Sequence, residues 1–284
     1  MSYTTFISST DLATQLDNPA WVIIDCRFNL ADTEQCRQLY QTAHIPGAFY
    51  AHLNDDLSGP IIAGQTSRHP LPEIEIFSQT LSAWGIDEQT QVIVYDDKGG
   101  AIAARLWWML KWLGHDMVAV LNGGLPQWEQ KNRPTQGGSE SVSPKRFTPK
   151  IQTAMLADIA EVQANHTKAD YALFDSRIAI RYRGEVELLD TIAGHIPGAV
   201  NAPFPENMAD GLMLSPEQLH ARFEAMLGDK PASEAVFYCG SGVTAAHNLL
   251  AIAYAGLGQA RMYAGSWSEW ITQPNPPVAT GDGG

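Results

Sequence analysis

The sequence predicts an α/β fold built twice in tandem, each half a mainly parallel sheet flanked by helices. Three observations carry that expectation. Short apolar segments without polar alternation end in an acid or a cysteine. Alanine-rich stretches of helical length follow a strand and a Gly-bearing turn. Four motifs of the first half recur, in the same order, in the second.

Val22–Asp25 and Gln91–Tyr95 in the first half, and Ala172–Asp175 and Ala235–Tyr238 in the second, read as strands buried on both faces. Such strands have no solvent side to impose a period of two. Ala101–Leu113 and Thr244–Ala255 are long enough and apolar enough to be helices packed on those strands. Ser215-Pro216-Glu217-Gln218 is a helix start: serine at the N-cap, proline at the first helical position, an acid in the first turn. Strands alternating with helices give a parallel sheet. Ligands of such sheets sit beyond the carboxyl ends of the strands, where Asp25, Asp96, Asp175 and Cys239 fall.

The repeat is explicit. Val22-Ile23-Ile24-Asp25-Cys26-Arg27 returns as Ala172-Leu173-Phe174-Asp175-Ser176-Arg177, and His44-Ile45-Pro46-Gly47-Ala48 as His195-Ile196-Pro197-Gly198-Ala199. Val92–Asp96 matches Ala235–Cys239, and Gly123 with Trp128 matches Gly265 with Trp270. The offsets stay between 142 and 151 residues. A period that long means duplicated domains and not a solenoid. The Pro-, Gly- and Ser-rich run Asn132 to Lys150 marks the join. The expected division is 1–135, a linker over 136–150, and 151–284. The tail after Trp270 reads as irregular.

Of the 284 residues, 45% are hydrophobic and 17% charged, and the net charge is −13. These values predict globular domains and exclude a general affinity for nucleic acid or anionic membranes. A small anionic ligand would need a local positive site, and Arg177, Arg181 and Arg183 fall in one short segment. Three cysteines with no CxxC pair make neither a disulfide framework nor a zinc site. No basic region followed by an apolar run opens the chain, and no stretch is long enough to span a bilayer, so a cytoplasmic protein is expected.

The segment that carries chemistry is Tyr238-Cys239-Gly240-Ser241-Gly242-Val243-Thr244-Ala245. A buried strand delivers Cys239 to a loop with two glycines, and a helix follows. Glycines let backbone N–H groups turn inward, and the helix N-terminus adds partial positive charge. A cysteine there is expected as thiolate, with Ser241 and Thr244 as hydroxyl donors. That suits ping-pong covalent catalysis without metal or organic cofactor. The first half has Asp96 at the cysteine position and is expected to be catalytically inactive. A cysteine phosphatase would need an arginine at position 245, where the chain has Ala245.

These residues resemble the rhodanese superfamily, and more closely its two-domain sulfurtransferases of the 3-mercaptopyruvate type, over about Trp21 to Trp270. The resemblance implies two rhodanese-like domains, the first inactive, with the site at their interface. It makes Cys239 the persulfide carrier and Gly240, Ser241, Gly242, Val243 and Thr244 its cradle. Thiosulfate-type members carry basic residues directly after the cysteine; here Gly240 and Ser241 stand there. Arg181 matches an arginine that holds the anionic donor, with Arg183 a further candidate. Mercaptopyruvate-type members place a second arginine nine residues on, where this chain offers Glu187, Leu188, Leu189 and Asp190. His69, before Pro70-Leu71-Pro72, matches a family histidine near the site, although its residues alone favour a loop histidine packed on prolines.

The implied partners are a small anionic sulfur donor, 3-mercaptopyruvate first, and a thiol, dithiol or cyanide acceptor. A thiosulfate:cyanide sulfurtransferase and a non-catalytic sulfur-relay protein are the alternatives. Asp25, Asp175, Arg27, Arg177, His44 and His195 occur in both halves and read as structural. Cys26 reads as a small core residue, and Cys36, in a polar stretch, as an exposed thiol.

Overall fold

A computed structural model describes residues 2–168 and 170–282, and they gather into two compact units. The first comprises residues up to Gly59, Leu71–Gln152 and Gly211–Met213; the second comprises Pro60–Pro70, Thr153–Asp210 and the chain from Leu214.

In the first unit the strands are β1 (Phe6–Ile7), β2 (Trp21–Asp25), β3 (Ala48–Tyr50), β4 (Gln91–Tyr95) and β5 (Val118–Leu121). They form one parallel sheet in the order β1-β5-β4-β2-β3. The helices are α1 (Ser9–Ala13), α2 (Gln35–Thr42), α3 (Ile74–Ala83), α4 (Ala103–Trp112) and α5 (Gly124–Gln130). All five residues of β4 are buried, as a strand covered on both faces requires. Helix α4, expected over Ala101–Leu113, buries all but Lys111; its Trp108 stacks on Trp112 at 5.8 Å.

The second unit opens with α6 (Ile159–Lys168), β6 (Ala172–Asp175), α7 (Ala179–Tyr182) and β7 (Val200–Asn201). After the short strands β8 (Met208–Ala209) and β9 (Leu212–Met213) come α8 (Pro216–Leu227), β10 (Ala235–Tyr238), α9 (Ala245–Tyr254), β11 (Arg261–Met262) and α10 (Ser266–Trp270). Its sheet is parallel, in the order β11-β10-β6-β7. Helix α8 starts in a full capping box: Ser215 Oγ accepts from the Gln218 N–H and the Gln218 side chain accepts from the Ser215 N–H.

The duplicated motifs fold into duplicated scaffolding. Asp25 takes Arg27 Nε on both oxygens at 3.0 and 2.8 Å, and Asp175 takes Arg177 Nε at 3.0 and 3.0 Å. Each arginine also donates to the carbonyl just before the histidine motif, Ala43 or Gly194. Nδ1 of His44 and of His195 meets the carbonyl of Tyr40 or Tyr182, and each ring stacks on that tyrosine. Buried polar residues paired this way are framework, although the Nε2 of His195 has no hydrogen-bond partner among the described residues.

Residues 136–150 run along the first unit: Gln136 bridges His44, Lys145 N donates to Ser82, and Lys150 N donates to Leu113. The tail repeats the pattern, with Ala279 bridging His195. Conversely, Pro60–Pro70 departs from the first unit and packs as part of the second. Among the described residues no helix is long and apolar enough to cross a membrane.

Candidate active site

Strand β10 ends at Tyr238, and Cys239 follows it directly at the carboxyl edge of the second sheet. The loop returns over the sulfur before α9 begins at Ala245. Gly242 allows this return. Its φ is +76°, and a Cβ there would collide with the Ala264 carbonyl oxygen.

Cys239 is buried, 2% exposed. Burial pushes its thiol up, but the Thr244 hydroxyl and the Ser241, Ala245 and Val243 N–H groups hydrogen-bond the sulfur and outweigh burial. The net result is a value below that of an ordinary thiol. Thr244 precedes α9 at its cap position, yet its hydroxyl caps no helix amide. It is spent on the sulfur instead.

The cradle thus contains the expected Ser241, Val243 and Thr244, with two amendments. Ser241 faces the sulfur with its N–H, while its hydroxyl turns to His69 Nδ1 at 2.7 Å. The Ala245 N–H, which sequence reasoning had left out, is added at the helix start. The Gly240 carbonyl accepts from Ser268 N.

The first unit holds the same cradle with a different anion in it. Asp96 follows β4 as Cys239 follows β10. Its Oδ1 accepts from the N–H groups of Lys98 and Gly100, both at 2.8 Å. Its Oδ2 accepts from Ile102 at 2.7 Å and Ala103 at 2.9 Å. A loop that wraps four amides around a carboxylate in one unit is an anion receptor by construction, and its counterpart wraps amides around a sulfur.

The other cysteines lack such support. Burial pushes Cys26 well above the ordinary thiol value, reinforced by Asp25, Asp96 and Asp56. Cys36, expected to be exposed, is buried on the inner face of α2, and burial raises it too. All three thiols are nearly inaccessible, so charge and not access separates them. At pH about 7, iodoacetamide should label Cys239 at least about tenfold faster than Cys26 or Cys36. The rate should fall as pH drops through the depressed value of Cys239, since only the thiolate reacts. Peptide mapping that found Cys26 or Cys36 labelled first would contradict this.

Arg181 and Arg183 part company. The Arg181 guanidinium lies beside the loop: a Cβ on Gly240 would be 3.5 Å from its Nη1. Its Nε and Nη2 are held by Glu187 at 2.8–3.0 Å, and Nη2 also reaches Asp190 at 3.2 Å. Arg183 instead pairs with Glu185 and, at 3.6 Å, with Asp282, so it is not brought to the loop. His69, which its own residues marked as a loop histidine, is buried against Ser241.

Two residues beside the loop escaped sequence reasoning. Arg68 pairs with Asp190 and reaches Gly240; the only sequence signal was its place beside His69. Ser266 Oγ accepts from Cys239 N at 3.1 Å and donates to the Tyr263 carbonyl at 3.0 Å. Those bonds hold a non-glycine residue at φ +56°. The departure from glycine at this place is visible in the repeat, where Gly124 stands opposite Ser266.

Comparison with known proteins agrees with this geometry. The rhodanese-like domain family matches twice, over residues 8–131 and 158–273. A probable 3-mercaptopyruvate sulfurtransferase of Pseudomonas aeruginosa is 48% identical over 284 residues, spanning 99% of this chain and 100% of that one. Mouse thiosulfate sulfurtransferase is 32% identical, covering 93% of this chain and 90% of its own. The crystal structure of SseA, a 3-mercaptopyruvate sulfurtransferase from Escherichia coli, superposes with a TM-score of 0.81 at 32% identity, over 94% of this chain and 100% of that one. With two matched domains covering most of its length, the chain belongs to the rhodanese-like sulfurtransferases.

Proposed function

We propose that Cys239 carries sulfur as a persulfide from a small anionic donor, 3-mercaptopyruvate, to a thiophilic acceptor. The observation that carries this reading is the set of three N–H groups and one hydroxyl trained on the Cys239 sulfur. With 3-mercaptopyruvate the thiolate attacks the donor's sulfur. The new S–S bond forms as the C–S bond breaks, the electron pair leaves with carbon as the enolate of pyruvate, and protonation at carbon completes pyruvate. The inner sulfur then stays where the thiolate sat, and the outer sulfur extends beyond it. An acceptor thiol, dithiol or cyanide takes the outer sulfur and returns the thiolate.

Ser241 Oγ, backed by His69 Nδ1 at 2.7 Å, supplies a hydroxyl that can pass a proton at the mouth of this loop. The positive charge of Arg181 favours an anionic donor. The first-half cradle, filled by the Asp96 side chain, carries no sulfur.

Preference for 3-mercaptopyruvate draws support from the Pseudomonas and E. coli relatives and from Gly240 and Ser241 standing where thiosulfate-type members carry basic residues. Thiosulfate is the second reading, favoured by the mouse relative. A donor panel decides. After incubation with 3-mercaptopyruvate, intact-mass and peptide mapping should show one added sulfur atom, on Cys239, and kcat/KM should exceed that for thiosulfate by about tenfold or more. A higher kcat/KM for thiosulfate would reverse the donor assignment, and sulfur gained at Cys26 or Cys36 would reject the carrier.

A further inference from the structure

We propose that Arg68 is the second donor-binding guanidinium of this site, held in position by Asp190. The inference rests on Cys239 as the sulfur carrier and adds a residue that fixes which donors reach it. Arg68 belongs to Pro60–Pro70, the segment that the first half of the sequence contributes to the second unit. Its backbone N–H is fixed by Ser268 Oγ at 3.1 Å, and Ser268 N in turn donates to the Gly240 carbonyl, so Ser268 links the residue to the cysteine loop.

The guanidinium is divided between two tasks. Nη1 is paired with Asp190 Oδ1. Nη2 points to the loop, where a Cβ on Gly240 would lie only 3.0 Å away. Arg181 is divided in the same way: Nε and Nη2 are bound by Glu187 and Asp190, while Nη1 faces the same place over Gly240. Among the described residues neither Arg68 Nη2 nor Arg181 Nη1 makes a hydrogen bond to protein. Two charged donors therefore converge, unspent, on the residue next to Cys239. The side chains of Asp190 and Glu187 are 3% exposed, whereas those of Arg68 and Arg181 are 28% and 19% exposed. The acids stand behind and the cations face outward, which is the arrangement for receiving an anion.

Position 190 explains why the second guanidinium must come from elsewhere in the chain. An acid there cannot bind a carboxylate, but it can orient an arginine that does. The ligand class this pair fits is a compact carboxylate whose sulfur lies within a few bonds of it. Gly240 keeps the space between the guanidiniums and the sulfur clear, since a side chain there would meet both arginines.

Arg68→Gln tests the inference by two readouts. For 3-mercaptopyruvate, KM should rise about tenfold or more, the equivalent of one charge-assisted contact, with kcat changed less than about threefold. Alkylation of Cys239 by anionic iodoacetate should slow relative to neutral iodoacetamide, because only the former senses the guanidinium. Arg68→Lys should recover part of both effects. Asp190→Asn, which removes the opposing charge and keeps a hydrogen-bond acceptor, should move the iodoacetate-to-iodoacetamide ratio the opposite way, and it decides the matter if Arg68→Gln does not fold. An unchanged KM and an unchanged ratio in Arg68→Gln, with iodoacetamide still labelling Cys239, would overturn the role of Arg68 and leave the sulfur carrier standing. A wild-type Cys239 that neither alkylates nor accepts sulfur would strike the carrier itself and the inference with it.

Discussion

Cys239→Ser is expected to lower kcat/KM for sulfur transfer by at least about 10⁴-fold while leaving the folded structure in place. The serine oxygen is close in size to the sulfur and can accept from the same Ser241, Val243 and Ala245 amides and the Thr244 hydroxyl. No buried donor is stranded, so the melting temperature should move by only a few degrees, on the order of 1 kcal/mol. What disappears is a polarisable nucleophile able to form and release an S–S bond. Activity assays with 3-mercaptopyruvate and thiosulfate, paired with thermal unfolding, check both halves of the expectation. Transfer persisting within tenfold of wild type would mean that sulfur travels by another route.

Asp96→Ala should have the opposite profile, a large loss of stability with no chemical step removed. Four backbone N–H groups, those of Lys98, Gly100, Ile102 and Ala103, converge on that carboxylate within 2.9 Å, and the side chain is fully buried. Alanine would strand all four donors under the helix start. A loss of roughly 3–5 kcal/mol is expected, which is large against the stability of a typical domain. Asp96→Asn, retaining one acceptor oxygen, should recover part of it. Chemical denaturation, with the Cys239 persulfide followed in the folded fraction, would measure this. Near-neutral stability of Asp96→Ala would mean that water fills the cradle as well as a carboxylate does.

The sequence made the duplication legible because matched residues keep matched work: the Asp25–Arg27 and Asp175–Arg177 pairs and the two histidine stacks fold as their motifs repeat. The cysteine loop was also legible, since a strand end, two glycines and a helix start are local signals. The charge arrangement around it was not. Arg68 is far from Cys239 in sequence, and only the packing of Pro60–Pro70 brings them together. Asp190 read as a missing arginine because its partner lay 122 positions away. The Ser241 hydroxyl was expected at the sulfur, but no local pattern tells a side chain to prefer a distant His69. Cys36 misled for a related reason: its neighbours in sequence are polar, yet it occupies the inward stripe of α2.

The filled cradle at Asp96 also says something about motion during turnover. That side chain accepts from four backbone N–H groups at 2.7–2.9 Å. In the second half the equivalent amides face the Cys239 sulfur, which keeps its place when a second sulfur is attached to it. The amides keep facing that one atom as sulfur arrives and departs, so their dipoles need little reorientation.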